Sequence, residues 1–179
     1  RMGRPRRRGF FVVLTLVLLV FMWAILGAID MCRGQLTKLW VGTSLVSYIG
    51  VVQSSIDDAT VGASTLTALS AESLATAKAV PNRYISGGTI ASPFGSAITV
   101  TGTAAGGGTG GYMTDTIAVP NVPRADCIAA MTADFGEQLV SRTPAGDGTS
   151  GGPSTLTGAN TACTSDMGNS LSFEFRHMN

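Results

Sequence analysis

The chain has 179 residues, 45% of them hydrophobic and 13% charged, with 23 Gly, three Cys and a single His, His177. That length suits one modest domain plus an appendage, and one imidazole leaves zinc clusters and Ser/His or Cys/His catalytic sets almost nothing to draw on. Net charge is +1, yet five of the twelve basic residues (Arg1, Arg4, Arg6, Arg7, Arg8) crowd the start, so the remainder holds seven basic against eleven acidic residues.

Residues 10–29 read FFVVLTLVLLVFMWAILGAI, with no charge and Thr15 as the one polar side chain. As an α-helix this run covers roughly 30 Å, the thickness of a bilayer core, and Thr15 can bond back to its own helix. The arginines before it and the acidic remainder after it place the arm in the cytoplasm and everything beyond Asp30 outside. A cleaved secretory signal is the alternative, but Leu26-Gly27-Ala28 makes a poor cleavage site. Moreover Leu36, Leu39, Trp40, Leu45, Val46, Ile49, Val52 and Ile56 follow at spacings of three and four, one face of a helix. No proline lies between Arg6 and Val80, so a single helix is expected to about Ser55, apolar all round and then amphipathic. Gly34, Gly42 and Gly50 lie close to one face; close packing and incidental placement both stay open for them. Trp23 and Trp40 read as packing or interface anchors, and Cys32 as a lipid-facing thiol.

Residues 57–79 turn to Ala, Ser and Thr and predict a connection with one short helix, stopped by Pro81. Gly87-Gly88 and Pro93-Phe94-Gly95 punctuate the chain before a β-branched run at 97–101, suited to a strand. After a flexible AAGGGTGG turn (104–111), residues 112–119 alternate like a second strand, and the two are expected to pair as a hairpin. Pro120 and Pro123 bracket a break; Cys127, Ile128, Met131, Phe135 and Leu139 then recur at helical spacing over 124–140, with Asp126 where the helix dipole favours an anion. Residues 141–161 lack periodicity and read as a surface loop. Leu171, Phe173 and Phe175 alternate with Ser172 and Glu174 in the clearest strand of the sequence, 170–176. His177 beyond it reads as a solvated tail residue.

Cysteine usage suits an exported domain. Joining Cys127 to Cys163 encloses thirty-five residues, a closure of about 3 to 4 kcal/mol in the chain-entropy model, which a thin Ser/Thr/Gly-rich core needs.

A basic leader ending in Gly, then Phe and twenty apolar residues running into a long helix, then a small sheet domain with a C-terminal disulfide, resembles the type IV pilins. Arg8-Gly9-Phe10 is similar to a prepilin peptidase junction. Elements similar to the type IVb branch, including pilins of thin conjugative pili, are the Gly/Pro-Phe-Gly segment at 92–100, Val-Pro-x-x-x-Cys at 122–127, and Cys163 followed by Asn169-x-Leu171-x-Phe173. The resemblance implies an α+β fold, a long N-terminal helix packed on a small antiparallel sheet. It implies a basic leader or arm at 1–9, a transmembrane and filament-core helix at 10–29, its amphipathic continuation at 30–56, and an extracellular head at 57–179. Processing falls between Gly9 and Phe10. Polymerisation runs through Phe10, Phe11, Val12, Val13, Leu14, Leu16, Val17, Leu18, Leu19, Val20, Phe21, Met22, Trp23, Ile25, Leu26 and Ile29. No catalytic, cofactor or metal residue is implied. The expected partners are identical subunits in a helical filament, the inner membrane, the pilus assembly machinery, and anionic phospholipid at the arginine arm; no specific nucleic acid is expected, because no aromatic residue interleaves the arm.

Two features depart from the family. Pilins carry Glu five residues after the cut, and that place holds Leu14, which removes a register device but also a carboxylate that would need a partner in apolar surroundings. The arginine arm, if retained, must meet phosphates, acidic residues or water. A major pilin for adhesion, mating-pair contact or motility is the leading expectation, with a membrane-anchored minor pilin or pseudopilin as the alternative. Ser92, Asp115, Asp126 and His177 could be assembled on paper into a Ser/His/Asp set, but no Gly-x-Ser-x-Gly context supports it, and the Gly-rich 106–111 run lacks a Walker ending.

Overall fold

The computed structural model describes residues 44–144 and 151–177, within the second of the chain's two units, Val41–Asn179. Gly9, Phe10, the 10–29 run, Cys32, Gly34 and Gly42 lie outside the described residues.

Helix α1 (Ser44–Ala59) carries the sequence's apolar stripe into the head. Leu45, Tyr48, Ile49, Val52 and Ile56 are all buried on one face, a large part of the driving force at about 1.5 to 3 kcal/mol per large apolar side chain. The helix runs one turn past the expected end at Ser55, to Ala59, and is followed by Thr60, whose N–H and hydroxyl both donate to the Ile56 carbonyl. Gly50 is exposed, and a Cβ there would meet nothing within 4 Å, so it packs against no neighbour among the described residues.

The short helix α2 (Ala71–Thr76) starts at Ser70, whose hydroxyl accepts from the Ser73 N–H while Ser73 returns the bond. This reciprocal cap compensates for only six residues of helix. A two-residue hairpin, β1 (Ile85–Ser86) with β2 (Thr89–Ile90), folds about Gly87-Gly88, where the sequence predicted only a turn. The main sheet is antiparallel in the order β3-β4-β6-β5, built from β3 (Thr99–Gly102), β4 (Thr114–Val122), β5 (Leu139–Thr143) and β6 (Asn169–Arg176). β3 and β4 pair as the expected hairpin, Val100 opposite Ile117. On the core face Asp115, Ile117 and Val119 stand opposite Phe175, Phe173 and Leu171. The other face, with Thr116 opposite Glu174 and Ala118 opposite Ser172, is the polar side usual for a half-solvated antiparallel sheet.

Three expectations need correction. β4 runs through Pro120 to Val122, because the register shifts there and Asn121 takes φ +58, so the proline's missing N–H falls at a bulge rather than in the ladder. Helix α3 (Arg124–Thr132) stops well short of Val140. Ala133 turns extended, the Asp134 carboxylate accepts from the Gly136 N–H at 2.8 Å, and Gly136 adopts φ +77, turn chemistry that competes with the helical spacing. Phe135 and Leu139 still reach the core, Phe135 by stacking 5.2 Å from Phe173 and Leu139 from β5. Third, the stretch expected to be loop contains β5 at its start and α4 (Leu156–Ala162) at its end. β5 hides its alternation in a bulge between Leu139 and Ser141. α4 is a low-propensity LTGANTA segment held by what surrounds it.

Tyr48 packs edge-on to Tyr84 with ring centroids 4.9 Å apart, and its buried hydroxyl has no hydrogen-bond partner among the described residues. Burial, then the neighbouring Tyr84, pushes the phenol well above its ordinary range. Tyr48→Phe is therefore expected to raise stability by about 1 kcal/mol, because it removes an unpaired buried donor and keeps the ring. A thermal melt of the detergent-solubilised variant that falls below wild type would contradict this.

Candidate functional site

Two polar assemblies hold the head in one geometry. The first lies where α1 meets the sheet. Asp115 shares the core-facing parity of Ile117 and Val119, and His177 continues that of Leu171, Phe173 and Phe175, so alternation carries both under α1. The His177 N–H donates to the Met113 carbonyl at 2.9 Å, extending the β4–β6 ladder by one bond. Nε2 of His177 lies 2.8 Å from Oδ1 of Asp115, and Nδ1 lies 3.6 Å from Oδ1 of Asp57 on α1. Gln53, one turn before Asp57, donates from Nε2 to both carboxylates, at 3.2 Å to Asp115 and 3.3 Å to Asp57.

His177 is thus no solvated tail residue: its side chain is 9% exposed and that of Asp115 is fully buried. The hydrogen bond to Asp115 raises the imidazole's pKa, burial opposes it, and the charges of Asp115 and Asp57 add to the rise. Burial pushes the Asp57 carboxyl up, with His177 pulling the other way and Asp115 adding to the rise. Because the folded imidazole titrates above the unfolded value, its contribution is complete below the unfolded pKa of about 6.5 and fades as pH rises through the raised folded value. At pH 6, His177→Gln is expected to lose about 2 kcal/mol, the scale of a charge-assisted bond, and the gap from wild type should narrow by pH 9. Paired melts at the two pH values test it; a gap that widens with pH would refute the assignment.

The second assembly ties β5 and the 151–163 segment to α3. Cys127 on α3 is joined to Cys163, the C-terminal cap of α4, and both are fully buried. At the other end of α3, Arg142 of β5 donates from Nη1 to the carbonyls of Ala130, Met131 and Ala133 and from Nη2 to that of Gly151. On the outer face, Glu174 accepts from the Thr109 N–H and hydroxyl and from Ser141. Burial alone would raise that carboxyl, but these bonds overcome it and hold it below the usual range. The 104–111 turn, expected to be flexible, is therefore tied down at Thr109.

The Ser/His/Asp set is not assembled. His177 meets Asp115, but Ser92 accepts from the Phe94 N–H in its own turn, and Asp126 sits in the first turn of α3, with Oδ1 buried without a hydrogen-bond partner among the described residues and its carboxyl pushed up by burial. Among the described residues, no group of His, Cys, Asp and Glu is placed to hold a metal ion, and no helix is long and apolar enough to cross a membrane. Sequence parity could have found Asp115 and His177; nothing in the sequence marked Arg142, because the bulge in β5 sets which way it points.

A small antiparallel sheet packed on the 16-residue helix α1, with a disulfide fastening its C-terminal segment, is an α+β arrangement consistent with a pilin head. The family model Bundlin matches residues 40–176. The chain belongs to the Bundlin family, the bundle-forming pilins of type IV pili. No curated protein matches the chain. Bundlin is a family of structural subunits and not of enzymes, and its pilins assemble into extracellular filaments of identical subunits. In this pilin one assembly docks α1 on the sheet and the other fastens the C-terminal part of the head to α3.

Proposed function

We propose that this pilin is a major subunit, polymerising through residues 10–29 into a thin pilus for adhesion, mating-pair contact or motility. The observation that supports this is α1, whose apolar face is consumed inside the head, while the twenty apolar residues at 10–29 exceed anything the head needs. Before assembly that run anchors the subunit in the inner membrane, and on extraction it buries the same surface against identical helices, a heterologous contact that builds an open filament. In this division 1–9 is a leader or arm, 10–29 the core helix, 30–56 its continuation and 57–179 the head, with processing between Gly9 and Phe10. The arginines meet anionic lipid on the cytoplasmic side. Leu14, in place of the usual Glu, favours the second reading, a minor pilin or pseudopilin, because the register charge of a homopolymer is missing.

Electron microscopy of sheared surface material, with the filament protein identified by intact mass, separates the two. Filaments composed of this chain establish the major subunit, and their mass shows whether Arg1 or Phe10 begins it. A chain that stays in the membrane fraction while filaments consist of another protein establishes the minor one.

A further inference from the structure

Beside the α1–sheet junction, an open cleft of about 380 Å³ lies between α1 and the β5–β6 end of the sheet. The rings of Phe135 and Phe175 line it on one side, and Gln53, Asp57 and Asp58 line it from α1. The turn that supplies Phe135 also carries exposed Asp134 and Glu137, whereas no lysine or arginine lines the cleft. Asp58 is exposed and its side chain makes no hydrogen bond or ion pair among the described residues. Gln53 is 6% exposed; its amide nitrogen is committed to Asp57 and Asp115, and its buried Oε1 has no donor among the described residues. Carboxylates and an unserved carbonyl beside aromatic rings suit one kind of occupant: a cation on an apolar stem, the side chain of Lys or Arg.

Such side chains stand at the opposite edge of the same sheet. The segment after α2 carries Lys78 and Arg83, both exposed and neither in an ion pair among the described residues. α2 packs on β2 and β3, and β3 is the far edge from β5 in the order β3-β4-β6-β5. Arg83 is held with its guanidinium 4.8 Å over the Tyr84 ring. Lys78 adopts φ +54, a left-handed conformation that Gly or Asn would take with less strain. The acidic cleft and the basic corner stand at opposite edges of one sheet and form no ion pair with each other among the described residues. Between copies they complement one another, and a contact joining two different patches repeats without closing.

We propose that the cleft between α1 and the β5–β6 end of one subunit receives the Lys78–Arg83 corner of the next copy in the filament. The inference rests on the homopolymer reading above. Each such exposed pair is weak and screened by salt, and the contact gains its effect by repetition along the polymer.

The chain has only two lysines, Lys38 and Lys78, which makes a zero-length carbodiimide cross-link informative on wild-type filaments. Peptide mapping is expected to find Lys78 joined to Asp57 or Asp58 between subunits. In cells, Asp58→Lys and Lys78→Glu are each expected to lower filament yield at least five-fold, and the double variant D58K/K78E to recover to within two-fold of wild type. Both positions are exposed, so far-UV circular dichroism should show the head intact. Wild-type filaments in which Lys78 links elsewhere, or single reversals that leave yield unchanged, would overturn the docking while leaving the homopolymer standing. Absence of the chain from filaments would remove both.

Discussion

Replacing both members of the Cys127–Cys163 bond by Ser is expected to lower head stability by about 4 kcal/mol. The sequence separation of 36 gives that figure in the chain-entropy model, since cross-linking withdraws loop freedom from the unfolded chain. The folded state depends on the bond as well. α4 is seven residues containing Thr, Gly and Asn, far below the length at which an isolated helix sustains itself. Its supports are the Thr155 hydroxyl, which accepts from the Gly158 N–H, the fully buried Ala159, and Cys163 at its end. Two Ser hydroxyls at sites with 0% exposure add the cost of burying polar atoms. Guanidinium unfolding of the detergent-solubilised chain, wild type against C127S/C163S, measures the loss. A difference under 1 kcal/mol would mean that the loop is already confined when unfolded.

Arg142→Met is expected to cost about 3 kcal/mol or more, although it keeps most of the side chain's volume. Arg142 is 7% exposed and its guanidinium pairs with no carboxylate among the described residues; four carbonyls hold it, the shortest bond being 2.6 Å to Met131. Three of those carbonyls belong to the C-terminal turn of α3 or the residue after it, where backbone acceptors have no intrahelical donor and the helix dipole favours a cation. Burial lowers the guanidinium's pKa and Asp134 opposes that fall, yet arginine stays charged at any pH of interest. Methionine would leave the four acceptors facing apolar carbon. Arg142→Lys should lose less, because one ammonium can serve part of the set but cannot fork between α3 and Gly151. Gly151 is itself constrained, with φ +80 and no room for a Cβ against the Leu139 carbonyl. Equilibrium unfolding of the two variants tests the ranking; equal losses would show that charge rather than the fork matters.

Both changes act on the same part of the head, the segment that leaves β5 and returns to β6. A filament subunit exposed outside the cell meets no chaperone, so loosening this segment is expected to reduce surface filaments along with stability.

What the sequence determined by itself was the set of features carried by local period. The stripe from Leu45 to Ile56 specified α1 and its buried face, Leu171, Phe173 and Phe175 specified β6, and the alternation at 112–119 with the run at 97–101 specified a hairpin, because a helix or strand that must bury one face writes that face at a fixed spacing. The same parity puts Asp115 and His177 on the inward face, although an imidazole near the chain's end reads as a solvated tail residue. Only tertiary structure decided that they are buried, since each makes the other affordable there through the 2.8 Å bond between β4 and the end of β6 and through Asp57 and Gln53 on α1. It likewise decided where α3 ends, because Asp134 and Gly136 make a turn that helical spacing conceals, and it created α4, which has no periodicity of its own and stands because Cys163 is fastened to Cys127. Arg142 belongs to the same class. A bulge, not alternation, turns it inward, and the partners that justify its burial are carbonyls from α3 and from Gly151, groups that every residue possesses and that no sequence pattern can announce.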